Sequence, residues 1–549
     1  MRYSISALLL LSVGTGILNA QITWAGLSTY GGSNYDQMWG LDFRGDSLPV
    51  LLLFTISYSI SGSDEDFILM VPSVPQWKKV IGNSSGRDDW AYKVVWQTGG
   101  NIVVGGTWCN DGGAGPGSCY APLYGFLIQM SSTGNFLRGR HMDPAASWSC
   151  SASDRQTRVL GVWPTSDGGI VAAGYMTYSE TDSWGNCYVQ EEDAFIAKFD
   201  STLNLQWMRP VGTTDWEFAT TAIQTTDGNY VLIAPSFYDI WIGKFNSSGN
   251  LLWQKRYPRT YYDDGRGKFF SWAKPTSDGG FILADEISNG SNRDILFVKF
   301  NSNGNVVYAK RLSTGGHDVG VDVVEGPNYY WMTGFFNNSD LFIAAFDKPT
   351  GNLVKFRYLV SSGDESGRAM DISDNNIPYV AGYTNRSGWT VGGYDGLVAA
   401  DSGGLDTCFW RSYPISVYDV SLTQSGSWNV YSFSYTPSSY SVSTQNVDPG
   451  MNLICGLALG EGDQELGVGE KYVNCYLNYA VVGRELRVRV KGETDLKLSL
   501  YTVDGRKIFS TYLKDFSGLY RVPVRLKKGI YLLRMEHGGG ETKTRVVVR

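Results

Sequence analysis

This sequence predicts an all-β fold: a β-propeller of four-stranded blades followed by a small C-terminal β-sandwich. Three observations carry that expectation. A strand–turn–strand unit recurs along most of the chain, hydrophobicity alternates with a period of two, and long helical periodicity is absent. Composition agrees, since 66 glycines, 34 tyrosines and 18 tryptophans against only 18% charged residues describe a turn-rich, aromatic β protein.

The repeat has a period of roughly 45 to 65 residues, a spacing at which propellers and arrays are considered first. One unit reads as a strand, a D-G-G turn, a second strand, a variable loop, and Asp before a third strand. A Ser/Asn-Gly-Asn turn and a fourth strand ending in W-x-K close it. Clear copies start at Ala222 (AIQTTDGNYVLIAPSFYDIWIGKFNSSGNLLWQKRY) and Trp272 (WAKPTSDGGFILADEISNGSNRDILFVKFNSNGNVVYAKR). Others begin near Tyr92, Val159, Val321 and Met370, with degenerate copies near Met38 and Val417. That count favours eight blades and allows seven. Asp167-Gly168-Gly169, Asp227-Gly228 and Asp278-Gly279-Gly280 supply the positive-φ positions of tight hairpins, and Gly249-Asn250 and Gly304-Asn305 do so between strands three and four. A ring of such blades removes the exposed edges of a long sheet. The segment Thr23 to Gly32 reads as a blade end and is expected to complete the last blade. A linear β-solenoid is the alternative, although its coils are usually shorter. The pattern resembles the β-propeller repeats of large bacterial secreted and surface proteins.

Ahead of the array, Arg2 and the apolar stretch Ala7 to Leu18 are expected to form a signal peptide (residues 1–20) cleaved after Ala20. The stretch is short for a membrane span and contains Ser12, Gly14, Thr15 and Gly16. No later segment approaches that length.

The array (21–456) gives way to a Gly/Glu-rich linker with a lead-in strand (457–484) and a module of different character (485–549). From Glu485 onward the chain carries 15 Lys+Arg against 7 Asp+Glu, within a whole-chain charge of −7, so the body is strongly acidic and its tail basic. An acidic body argues against nucleic acid as partner. Tail residues Leu500 to Lys507 (with Asp504, Gly505 and Arg506), Leu526 to Leu533 (with Gly529, Ile530 and Tyr531) and the closing Thr542 to Val548 resemble the C-terminal sorting domain of bacterial type IX secretion. The resemblance implies passage through the outer membrane, then release or attachment at the surface, with the secretion machinery as partner. An immunoglobulin-like accessory domain is the other reading of the same strands.

Seven cysteines suit an oxidising compartment. Cys109 and Cys119 bracket a Gly-rich insertion, Cys150 and Cys187 flank another, Cys408 and Cys455 lie near the end of the array, and Cys475 is left over. Loop-stapling disulfides are expected rather than zinc, because paired C-x-x-C spacing is missing.

No catalytic constellation stands out. Asp66, Asp193, Asp239, Asp294, Asp340 and Asp395 recur before the third strand. Such a set of carboxylates is compatible with calcium, but an acid repeated blade after blade more simply caps turns. Gly82-Asn83-Ser84-Ser85-Gly86 matches G-x-S-x-G without the helix that a nucleophile elbow needs, and His141 and His317 lack an evident acid partner in sequence. The acid pairs Glu191-Glu192 and Asp263-Asp264 suit a glycosidase only if brought together with the right separation. Trp184, Tyr261, Tyr262, Trp389 and Tyr394 are candidate sugar platforms, or simply packing between blades. The expectation is an exported, non-enzymatic propeller that binds polysaccharide or protein and needs no cofactor. An extracellular hydrolase is the alternative.

Overall fold

The structure is a computed structural model describing residues 25–457 and 477–548 apart from short internal stretches, the longest being 110–122, 145–155, 259–270 and 402–409. No α-helix occurs among the described residues, so none is long and apolar enough to cross a membrane. Residues 1–20 lie outside them.

Local chemistry builds the blades. In the hairpin at Asp167, Gly168 takes φ +83°, the left-handed conformation that a side chain would strain. Its N–H donates to the Thr165 carbonyl, while the Asp167 carboxylate accepts from the Gly169 N–H. The third-strand lysine of the same blade reaches back to that acid, at 2.9 Å for Lys198–Asp167. Lys244–Asp227 at 2.7 Å and Lys299–Asp278 at 2.9 Å repeat the contact, which ties the D-G turn to the third strand in each of these blades. The recurring outer-strand tryptophan faces the next blade. Trp77 and Trp207 donate their indole N–H groups to the Ser132 and Ser247 carbonyls, each ring lying against a positive-φ glycine, Gly134 or Gly249.

Seven blades result: 36–82, 89–142, 157–212, 221–258, 272–313, 319–359 and 365–400. Blade 7 supplies only three strands from its own stretch. Ala25–Gly31 is its outer strand, pairing antiparallel with Asp395–Ala400, so the N-terminus closes the ring. Seven apolar clusters hold the ring together, one at each blade boundary. Between blades 1 and 2, for example, Leu52 and Phe67 pack with Val104 and Phe126, and truncating one such side chain to Ala costs about 2–5 kcal/mol.

The eighth repeat expected near Val417 is not a blade. Residues 410–457 form a belt that runs backwards around the ring, adding a short antiparallel strand to one outer edge after another. Trp410–Ser412 pairs with blade 6, Ser416–Asp419 with blade 5, and Asn429–Val430 with blade 3. Ser438–Tyr440 then pairs with blade 2, Ser443–Asn446 with blade 1, and Gly450–Leu457 with Ala25–Gly31 of blade 7. At blade 4 no belt strand is seen among the described residues; the Ser425 N–H donates to the Arg256 carbonyl and Lys255 donates to the Gln424 side-chain carbonyl at 3.3 Å. The belt thus doubles the closure and covers outer edges that would otherwise offer unpaired backbone.

The tail forms a separate sheet of five strands, Leu477–Val482, Glu485–Thr502, Lys507–Arg521, Gly529–His537 and Gly540–Val548, paired only with one another. The hydrogen-bonding pattern joins all five in one continuous sheet; the long second strand breaks register against the third between Val490 and Leu496. Gly529, Ile530 and Tyr531 start the fourth strand, whereas Asp504, Gly505 and Arg506 lie outside the described residues.

Candidate functional site

The inner strands decide the centre of the ring. In five blades their register slips by one residue against the second strand, and the extra residues are Trp39, Tyr92, Leu160, Val321 and Arg368. A bulge re-aims the side chain it carries. Three of these bulged side chains meet across blade boundaries: the Trp39 and Tyr92 rings lie 6.1 Å apart, and the Arg368 guanidinium lies 5.1 Å over Trp39.

From this trio an arc of rings and guanidiniums extends both ways. On one side Arg158 of blade 3 donates to the Tyr92 hydroxyl at 3.2 Å and lies 5.7 Å over Trp90 and 5.8 Å over Tyr175. Tyr175 meets Phe218 edge-on at 4.9 Å, and Phe218 meets the exposed Trp216. On the other side Arg368 lies 5.2 Å over Tyr383, which packs on Tyr394, itself 4.8 Å from Tyr35. Four blades contribute, and the segment before blade 4 adds Trp216 and Phe218. Side-chain hydrogen bonds orient the rings: Gln37 donates its amide to the Tyr35 hydroxyl and accepts from the Trp39 indole, and Glu65 accepts from the Trp90 indole. Trp39, Trp90, Tyr92, Arg158 and Arg368 are half-buried; the Nε and Nη1 atoms of Arg368 and the Nε of Arg158 are enclosed, and Arg368 donates through Nη2 to the Tyr383 hydroxyl at 3.4 Å.

The acid of the arc is Glu192. Burial pushes its carboxyl up to about 7 despite the opposing pull of Arg158, so it changes charge near neutrality. Its backbone carbonyl accepts the Glu217 N–H across the blade 3–4 boundary.

Deeper along the axis the centre is plugged by ions. Lys93 of blade 2 and Lys274 of blade 5 approach Asp322 of blade 6 at 3.6 and 3.7 Å, and Lys274 approaches Asp371 of blade 7 at 3.7 Å. The Asp322 carboxylate also accepts the Met370 N–H, and Asp42 accepts the Trp96 N–H. Burial and the neighbouring Asp371 raise Asp42 out of the usual carboxylate range. Burial lowers Lys93, whereas Asp322, Asp371 and Asp42 overcome the burial of Lys274 and raise it. A cavity of about 10 Å³ remains beside Lys93, Trp272 and Lys274, too small for a ligand.

The repeated acids sit elsewhere, at the blade edges. Asp66 accepts the Ile60 N–H and Asp395 the Val391 N–H. Asp239 pairs with Arg256, and Asp294 with Arg311 at 3.5 Å, each across to the outer strand. Asp193 lies against Gly212, and Asp340 is half-buried beside Asn337. Blade 2 has Tyr124 at this place, tilted against Trp108 and edge-on to His141, whose imidazole burial lowers to about 4. Among the described residues no three His, Cys, Asp or Glu side chains are grouped to hold a metal ion.

Of the residues singled out from sequence, Glu192 and Tyr394 enter the arc. Trp389 is buried in the cluster between blades 6 and 7. Ser84, Trp184, Tyr261, Tyr262, Asp263 and Asp264 lie outside the described residues, as do Cys119, Cys150, Cys408 and Cys475, and the side chains of Glu191, Cys187 and Cys455. Sequence reading missed Trp39, Trp90, Tyr92, Arg158 and Arg368. Their signal is a break in the repeat: Trp39, Tyr92 and Arg368 occupy the inner-strand place where Leu160 and Val321 stand in blades 3 and 6.

No protein-family model and no curated protein matches the chain. Solved structures match weakly. They include the polysaccharide lyase Uly1 (8% identity, TM-score 0.39, covering 69% of this chain and 90% of that one). The NanB sialidase of Streptococcus pneumoniae matches at 7% identity and TM-score 0.35, covering 70% of each chain. Sqt1 of Chaetomium thermophilum matches at 10% identity and TM-score 0.36, covering 66% of this chain and 84% of that one. Likenesses this slight carry no argument about what the chain binds or does.

Proposed function

We propose that this is an exported binding protein that holds a cell-surface polymer against the arc at the mouth of its central channel. One observation carries the reading. The arc gathers unlike residues from four blades and the segment before blade 4, while the axis beneath it is filled by an ion network. Residues that only hold blades together recur from blade to blade, as Asp167, Asp227 and Asp278 do, so a convergence of unlike residues marks the site. A plugged axis and half-buried rings suit an extended ligand lying across the face better than an enclosed small molecule. The test is a glycan and peptide array probed with the mature chain and with Trp39→Ala and Trp90→Ala. Wild-type signal lost in both variants is the expected result; signal equal in all three overturns the site.

A second reading, an extracellular hydrolase working at the arc, is favoured by Glu192. A carboxyl near 7 is matched to general acid catalysis at neutral pH. Release of reducing ends or peptides by the wild type, and none by Glu192→Gln, would establish it.

Export belongs to the same proposal. Residues 1–20 direct the chain across the inner membrane, and the basic module from Glu485 is the address for the outer membrane. The sequence resemblance of that module and the pairing of its strands only with one another support this. Deleting 485–549 should leave a folded propeller trapped in the periplasm. We further propose that Cys109 pairs with Cys119, because Cys109 is disulfide-bonded at the end of its strand and Cys119 closes the same insertion.

A further inference from the structure

We infer that the arc takes an uncharged polysaccharide, with sugar faces on the rings of Trp216, Tyr238, Trp90 and Trp39 and a sugar hydroxyl bonded to Glu192. The inference rests on the binding reading above and names its ligand class. Two observations point to it: exposed rings at one end of the arc, and a buried carboxyl without a hydrogen bond.

Trp216 and Tyr238 are 46% and 65% exposed. They flank the isolated bridge between Glu217 and Ser236 at the head of blade 4. The inner strand Thr221–Gln224 runs away from that end and the second strand, Tyr230–Pro235, returns to it, so both rings stand on the face where the arc lies. Trp216 joins the arc through Phe218 at 6.5 Å, and Phe218 through Tyr175 at 4.9 Å. Further along, Trp90 and Trp39 are half-buried and continue the row. Rings offer flat apolar area, and successive pyranoses of a chain present apolar C–H faces to match it.

Glu192 supplies the polar half of the site. It is 7% exposed, and no hydrogen bond reaches its carboxyl among the described residues. Most buried polar side chains have such a bond, so this exception calls for a partner from outside the chain. A sugar hydroxyl both donates and accepts, and therefore suits Glu192 protonated or ionised.

The charges already present argue for a ligand without its own. Arg158 is committed to the Tyr92 hydroxyl and to the charge of Glu192, and Arg368 to the Tyr383 hydroxyl. Glu65 accepts the Trp90 indole N–H. A carboxylated or sulfated chain would have to displace these contacts, and the acidic body would repel it. A cationic chain would meet the two fixed guanidiniums. A protein partner would bring an apolar core, whereas the arc interleaves its rings with guanidiniums and hydroxyls.

The test is calorimetry of the mature full-length chain with three uncharged polymers, a mixed-linkage β-glucan, a galactomannan and an arabinoxylan, and with polygalacturonate and polylysine. At least one uncharged polymer is expected to bind at least about tenfold more tightly than either charged one, with an affinity that salt changes by less than about twofold. Trp216→Ala should weaken it about tenfold and Tyr238→Ala a few fold. Glu192→Ala should weaken it roughly 3- to 10-fold, and Glu192→Gln less than about threefold, because the amide bonds the same hydroxyl. Tyr418→Ala, which removes an exposed ring on the belt, should change nothing. Should Glu192→Ala fail to fold, the two exposed rings decide. Polygalacturonate or polylysine bound as tightly as the best uncharged polymer overturns the uncharged assignment and leaves the binding reading standing. Wild-type affinity in both Trp216→Ala and Tyr238→Ala overturns the placement of the sugar faces. A chain that binds none of the polymers overturns the saccharide assignment, and the binding reading falls with it only if the peptide array is blank as well.

Discussion

The two tiers of the central axis use similar residues to opposite ends. In the lower tier Lys93, Lys274, Asp322 and Asp371 neutralise one another within 3.6 to 3.7 Å, and the network consumes its own charge. In the upper tier Arg158 and Arg368 are set among rings instead, Arg158 donating to the Tyr92 hydroxyl at 3.2 Å and Arg368 to the Tyr383 hydroxyl at 3.4 Å. The bulge in the inner strands separates the tiers. It gives Trp39, Tyr92 and Arg368 to the mouth and leaves Lys93 and Asp322, the next residues along, to the plug. Opposite charges hold the lower tier together, whereas ring faces and hydroxyls hold the cations of the upper one.

Substitutions in the two tiers should therefore separate stability from binding. The largest effect belongs to the plug. Asp322→Ala leaves two lysines buried beside a lost partner and should cost about 3–5 kcal/mol in urea unfolding, with ligand affinity of the folded fraction unchanged. A loss below about 1 kcal/mol would mean that other partners, such as Asp371 and the Met370 carbonyl for Lys274, suffice without Asp322.

Glu192 belongs to the mouth and yet bears on stability, which sharpens the comparison. Its folded-state carboxyl titrates near 7, above the ordinary unfolded value, so the folded chain holds more protons between the two. Stability from this group is present at low pH and is lost as pH rises to about 7. Glu192→Gln should flatten that slope and gain about 2 kcal/mol at slightly alkaline pH. Of the charged and titratable groups around it, Arg158 stays protonated throughout, and burial holds Tyr175 above its ordinary range. An unchanged pH profile would place the titration elsewhere.

Smaller again, Trp39→Ala should weaken the ligand by about tenfold while costing less stability than Asp322→Ala, the reverse of the plug. The smallest change is expected on the belt. Asp419 pairs with Lys310 at 2.5 Å but is 86% exposed, so Asp419→Ala should shift the unfolding midpoint by less than about 1 kcal/mol. A larger loss would show that the belt is fastened at single points rather than along its length.

The D-G turns, the third-strand Asp and the closing role of Thr23 to Gly32 were legible because each is local or repeated: a positive-φ glycine in a turn, or one motif copied from blade to blade. The belt was not. Its strands of two to eight residues are short, and apart from the last they are largely polar. Around Val417 they imitate a worn repeat, which is why the repeat count favours eight blades while allowing the seven that form. Nothing in such a segment reveals that its partners are outer edges more than a hundred residues away, as Lys310 is from Asp419.

The sequence alone determined the class of fold, the four-stranded unit, the closure by the N-terminal strand and the separate basic tail, because turn chemistry and two-residue alternation act over a few neighbours. Tertiary structure alone decided the blade number, the belt, and the site. Trp39, Tyr92, Arg158 and Arg368 are spread over some 330 residues of chain, and only ring closure together with a one-residue slip in each of their strands turns them toward one another.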